Sequence, residues 1–107
     1  MSQFTDHVRE LLAPIGRVRI RAMFGGYGVY LDDLMFALIA DDELYFKVDA
    51  ESVERFREAG CEPFVFESRG RTVAMSYFSA PAEVFDDRES ARDWAECALD
   101  AAHRARR

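Results

Sequence analysis

Cysteine is scarce in this sequence. There are two, Cys61 and Cys97, and neither sits in a CxxC pair or a Cys/His cluster, so the paired-thiolate spacing of a zinc site is missing. Spacing alone leaves a disulfide open, but two thiols in a chain rich in apolar residues fit a reducing compartment better. The N-terminus has no basic start and no apolar run of the kind a secretion signal carries. The longest apolar run, Leu34 to Ala40, is far too short to cross a bilayer. The cytoplasm is therefore the expected location, with no membrane contact. Repeats, linkers and low-complexity stretches are also missing, and a single domain over residues 1–107 is expected. Positive charge is in deficit, with 14 basic against 20 acidic residues and a net charge of −6. Such a chain is repelled by a phosphate backbone unless its basic groups gather on one face. Direct nucleic-acid binding is disfavoured on that ground, a local patch excepted.

What is present is a good core and clear periodicity. Half of the residues are apolar and 13% are aromatic, well above what a disordered chain carries. Phe4, Val8, Leu11, Leu12 and Ile15 recur at helical spacing, with Ser2 placed to cap the start and Pro14 and Gly16 to end it. The period then becomes two: Val18, Ile20, Ala22 and Phe24 alternate with Arg17, Arg19, Arg21 and Met23, as in a strand with one buried face. Strands over Tyr27–Leu31, Leu34–Ala40 and Leu44–Val48 follow, separated by Asp32-Asp33 and Asp41-Asp42. Connections this short require antiparallel neighbours. Asp49 is placed to cap a short helix carrying Val53 and Phe56, with Gly60 just past its end. Phe64–Phe66 and Thr72–Phe78 read as a further hairpin, and Pro81 as the first turn of a brief helical segment. The last helix places Ala91, Trp94, Ala95, Ala98, Leu99 and Ala102 on one side, with Asp87 as cap and basic residues at its end. The expected class is α+β, a two-layer sandwich of order α-β(3-4)-α-β(2)-α, with an antiparallel sheet and helices on one face.

The segments Arg21-Ala22-Met23-Phe24-Gly25-Gly26-Tyr27-Gly28, Leu34-Met35-Phe36 and Leu44-Tyr45-Phe46-Lys47-Val48-Asp49 occur in that order. Gly60, Pro63-Phe64, Met75-Ser76-Tyr77 and Trp94-Ala95 follow them. Together they resemble the N-terminal domain of the TfoX (Sxy) competence regulators and their stand-alone relatives, over about Phe4 to Ala102. The resemblance implies a sandwich of the secretion-chaperone-like kind, a homodimer and a regulatory role. It also implies that the C-terminal domain of the full-length regulators is missing here, so that the N-terminal module acts as a protein-binding unit without necessarily inducing competence.

The chemistry-bearing residues read mostly as structural. Met23, Phe24, Gly25, Gly26 and Gly28 form a glycine-rich motif, but strand residues rather than a helix N-terminus follow it, so a turn or bulge is expected instead of a phosphate loop. His7 and His103 lie on different helices without a nucleophile or co-ligands. Asp32-Asp33, Asp41-Asp42-Glu43 and Asp86-Asp87 have turn and capping chemistry rather than the ligand spacing of a calcium loop. No catalytic residue, metal or cofactor is expected. Arg17, Arg19 and Arg21, with Arg69 and Arg71 at a later turn, form the candidate patch for an acidic partner. The other reading of these arginines is an edge strand kept soluble by charge.

The run Leu34 to Ala40 is apolar on both sides, whereas a strand covered on one face should alternate. Either the terminal helices wrap both faces or something else covers the second one. A second copy of the chain is expected there, with Met35, Ala37 and Ile39 as the dimer face. The function read from these features is a non-enzymatic regulatory or adaptor domain that contacts an unidentified protein. A small-ligand binder with a cleft lined by Tyr27, Tyr30 and Tyr45 is an alternative, as is a DNA-associated factor using the Arg17/Arg19/Arg21 stripe.

Overall fold

The computed structural model describes residues 2–23 and 25–106. Helix α1 spans Gln3–Leu11, and its Ser2 cap accepts a hydrogen bond from the Thr5 amide. A 3₁₀ turn, Ala13–Ile15, carries Pro14 and leads to Gly16. Four strands follow: β1 (Arg19–Met23), β2 (Gly26–Leu31), β3 (Leu34–Ala40) and β4 (Glu43–Lys47). Helix α2 (Val53–Glu58) separates them from β5 (Pro63–Ser68) and β6 (Arg71–Ser79). A 3₁₀ segment, Ala82–Phe85, then precedes the long helix α3 (Arg88–Ala105).

The six strands form one antiparallel sheet in the order β1-β2-β3-β4-β6-β5. The expected α+β class, element order and helices against one face are all present. Two of the hairpin turns use aspartate pairs. Asp32, Asp33, Asp41 and Asp42 all have positive φ, the geometry that matches the right-handed twist of the flanking strands.

The core lies between the sheet and the helices. Phe56 of α2 is at its centre, with ring centroids 4.8 Å from Trp94, 6.3 Å from Phe78 and 6.5 Å from Phe46. The contacts with Trp94 and Phe46 are edge-on and that with Phe78 is tilted, and edge-on contacts add roughly 0.5–1.5 kcal/mol each beyond the area buried. Helix α3 meets the sheet almost entirely through alanines: Ala91, Ala95, Ala98, Ala101 and Ala102 are buried. Small side chains let its backbone sit close, and Trp94 supplies the bulk.

Two details differ from the sequence reading. Helix α2 begins after Ser52, three residues later than an Asp49 cap implies. The Asp49 carboxylate instead accepts from the Glu51 and Ser52 amides in the turn that feeds the helix. Ala22, expected on a buried face, is exposed on the edge strand β1.

Candidate functional site

Sheet register decides which strand residues lie under the helices. Val29, Ala37 and Phe46 are cross-strand partners, as are Ile39 and Leu44, and all five belong to the core cluster. Leu38, between Ala37 and Ile39, therefore faces the other way, opposite Gly28 and Tyr45.

The expected dimer face does not survive this register. Ala37 and Ile39 are 0% and 3% exposed within the helix-covered core, so they cannot form a free surface. Met35 lies on the other, helix-free side. The cause is a β-bulge: β2 pairs Val29 with Ala37 but Tyr30 with Met35, leaving Phe36 as an extra residue. One unpaired residue reverses the alternation downstream of it. The double apolar character of β3 thus serves both faces, but through a different set of residues from the expected one.

The helix-free face is built from Arg19, Arg21 and Met23 of β1, Gly28 and Tyr30 of β2, and Met35, Leu38 and Ala40 of β3. Tyr45 and Lys47 of β4 continue it, with Tyr77 of β6 beside Lys47. Phe64 joins it through an edge contact with Tyr45, at 4.9 Å between centroids, and stacks on Phe66 at 6.2 Å. Between these side chains runs a groove of about 450 Å³, lined by Met23, Leu38, Ala40, Phe64, Phe66 and Met75 together with Gly26, Tyr27, Ile39 and Ser68. Met23 and Phe66 are among the large apolar side chains left exposed, at 38% and 39%.

The glycine motif shapes this groove. A Cβ on Gly26 would stand 2.2 Å from the Ile39 carbonyl oxygen, so β2 reaches β3 there only without a side chain. A Cβ on Gly28 would stand 3.0 Å from the Met23 sulfur and 3.3 Å from that of Met35. The two thioethers fold into the space a side chain would take. Phe24 of the same motif lies outside the described residues.

The arginines divide. Arg19 pairs with Asp33 at 2.9 Å, Arg21 lies over the Tyr30 ring at 5.8 Å, and Arg17 is exposed ahead of β1. The tyrosine cleft considered from sequence does not form, because Tyr27 packs against the core while Tyr30 and Tyr45 lie on the helix-free side.

Titration makes the face less reactive. Burial, reinforced by a hydrogen bond donated to Glu43 at 3.0 Å, pushes the Tyr45 phenol up to about 12. Burial and the neighbouring Tyr30 push Tyr77 to about 12 as well. Burial also raises the Cys61 thiol, and both cysteines are free and half-buried. Among the described residues no three His, Cys, Asp or Glu side chains gather to hold a metal ion, and no helix is long and apolar enough to cross a membrane. Thioethers, phenyl rings and protonated phenols equip the face to bind apolar groups.

Phe64, Phe66 and Met75 were not singled out from sequence as groove residues. Phe64-Val65-Phe66 carried the same signal as β3, a strand apolar on both sides, but its shortness hid it.

The sequence matches the TfoX N-terminal domain family over residues 10–102. It is 34% identical over 86 residues to the DNA transformation protein TfoX1 of Aliivibrio fischeri, covering 80% of this chain and 41% of that protein. It is 27% identical over 94 residues to Protein Sxy of Escherichia coli, covering 88% of this chain and 45% of that one. The chain thus spans less than half the length of these curated relatives.

Proposed function

Because the chain belongs to the TfoX N-terminal domain family, we propose that it is a regulatory module that works by binding another protein rather than by catalysis. The observation that carries this reading is the apolar groove on the helix-free face of the sheet. A single sheet with helices on one side leaves its second face to solvent, and that face is ordinarily polar. Here its middle is Leu38, Phe64 and Met75, and its exposed rim includes Met23 and Phe66. Contiguous apolar surface of this kind marks an interaction site. A relative bears the words DNA transformation in its name, and the process regulated here is proposed to be of that kind.

The test uses the native cell. Expressing the chain should shift the transcript profile, and Phe66→Glu should abolish the shift while the purified variant keeps its circular dichroism. Glu96→Lys, on the exposed side of α3, should leave the shift intact. If Phe66→Glu folds and still acts like the natural chain, the helix-free face is not where it works.

A further inference from the structure

The charge of the sheet is segregated. The described strands contain four basic residues, Arg19, Arg21, Lys47 and Arg71. Register puts all four on the helix-free face: Arg19 opposite Tyr30, Arg21 opposite Gly28, Lys47 opposite Tyr77, and Arg71 opposite Ser68, which lines the groove. Glu43 is the one strand acid that shares that face, and Glu67 points the other way. In a chain of net charge −6, the strands of this face therefore carry an excess of positive charge, with Glu43, Asp41 and Glu62 setting negative charge beside Tyr45 and Arg19 paired to Asp33. Two of the cations border the groove itself. Arg71 is the cross-strand partner of Ser68, which lines it, and Arg21 precedes the lining residue Met23 by two positions on one face. Among the described residues neither pairs with a carboxylate.

The backbone restricts the occupant further. The groove floor is Leu38 and Ala40 of β3, which is hydrogen-bonded to a strand on each side. No free backbone donor or acceptor is offered there, so a segment lying in the groove must satisfy its own amides. A helix does this internally, and an extended peptide does not. Three methionines, Met23, Met35 and Met75, on the same face supply flexible, polarisable side chains that repack around varied apolar anchors.

We infer that the helix-free face receives an acidic amphipathic helix of a partner protein, its apolar stripe in the groove and its carboxylates on Arg21 and Arg71. This rests on the reading that the face is the contact surface, and names what it contacts. A second copy of the chain is the poorer occupant, because two such faces meeting about a two-fold axis bring like charges together. A nucleic acid would use the cations but leave a floor of thioethers and aliphatic carbons without a role.

The probe is a fluorescein-labelled helical peptide of about five turns, with leucine or phenylalanine at i, i+3, i+4 and i+7 and glutamate on the flanks. A peptide with the same apolar positions but lysine flanks, and a single-stranded oligothymidine, are run beside it. Binding to the full chain is followed by anisotropy at two salt concentrations. The glutamate peptide should bind saturably and lose about tenfold in affinity in the Arg21→Glu/Arg71→Glu double variant, more at low salt than at high. Phe66→Ser should weaken it as well, with thermal melting checking that this variant folds. Equal or tighter binding of the lysine peptide or the oligonucleotide would overturn the proposal. So would no saturation by roughly 100 μM, a weak affinity for a helix in its own groove, or a stable dimer that the peptide cannot dissociate. Loss of the transcript effect in Phe66→Glu with no binding of the glutamate peptide would leave the contact face standing and remove only the acidic helix.

Discussion

The guanidinium of Arg104, near the end of α3, holds the carboxylate of Asp49 through two hydrogen bonds, Nε to Oδ2 at 2.5 Å and Nη2 to Oδ1 at 3.0 Å. Fifty-five positions apart in sequence, they tie the end of the long helix to the turn after β4. The same carboxylate accepts from the Glu51 and Ser52 amides. The Arg104 bond holds the Asp49 carboxyl down at about 2, helped by Ser52 and opposed by burial.

Acid titration follows from that pairing. The unfolded carboxyl protonates near pH 4, whereas the folded one stays ionised to about pH 2. The stabilisation is therefore complete above pH 4 and disappears as the pH falls from 4 to 2. Asp49→Asn should cost about 1 kcal/mol at neutral pH. Urea denaturation at stepped pH should show that deficit constant above pH 5 and nearly gone at pH 2.

Gly26 and Gly28 should respond very differently to the same substitution. In Gly26→Ala the new methyl meets the backbone oxygen of Ile39, which can yield only by parting β2 from β3. A loss of about 3 kcal/mol is expected. In Gly28→Ala the obstacles are the side chains of Tyr30, Met23 and Met35, and the thioethers can swing aside, so the loss should stay under about 1 kcal/mol. Denaturant midpoints of the two variants decide this, and equal losses would contradict it.

Phe56 and Phe66 separate stability from surface. Phe56 is fully buried against three aromatic rings, and Phe56→Ala should cost about 3–5 kcal/mol. Phe66 is 39% exposed at the groove, and Phe66→Ser should cost less than about 1 kcal/mol. Calorimetric melting temperatures should fall steeply for the first and little for the second.

Asp42 occupies a turn position with φ of 58°, where glycine is the better residue in a two-residue hairpin. Among the described residues it makes no ion pair, unlike Asp33, which holds Arg19. Asp42→Gly should stabilise the protein by about 0.5 kcal/mol, read as a higher urea midpoint. Asp33→Gly should gain less, because it also breaks the pair.

Much of this fold was legible in the residues themselves. The helical stripe from Phe4 to Ile15, the aspartate turns and the alanine face of the last helix each announce one local geometry, and local geometry is what periodicity reports. The candidate face was legible only in outline. That β3 is apolar on both sides pointed to a second covered surface. Which of its residues lie there depends on Phe36 having no cross-strand partner, a pairing fact with no local signature. Leu38 was therefore exchanged for Ala37 and Ile39. The arginines of β1 were visible as a stripe, but their company on one face with Lys47 and Arg71 requires the register of six strands.

The unpaired Phe36 lets this strand turn two consecutive residues, Phe36 and Ala37, into the core. Losing that one residue would make Met35 and Ala37 neighbours opposite Tyr30 and Val29, an uninterrupted pairing that keeps Leu38 outward and Ala37 and Ile39 inward while removing one phenyl ring from the core. A relative lacking Phe36 could therefore show the same outward residues over a smaller core, so a one-residue gap in an alignment of this strand belongs at the bulge.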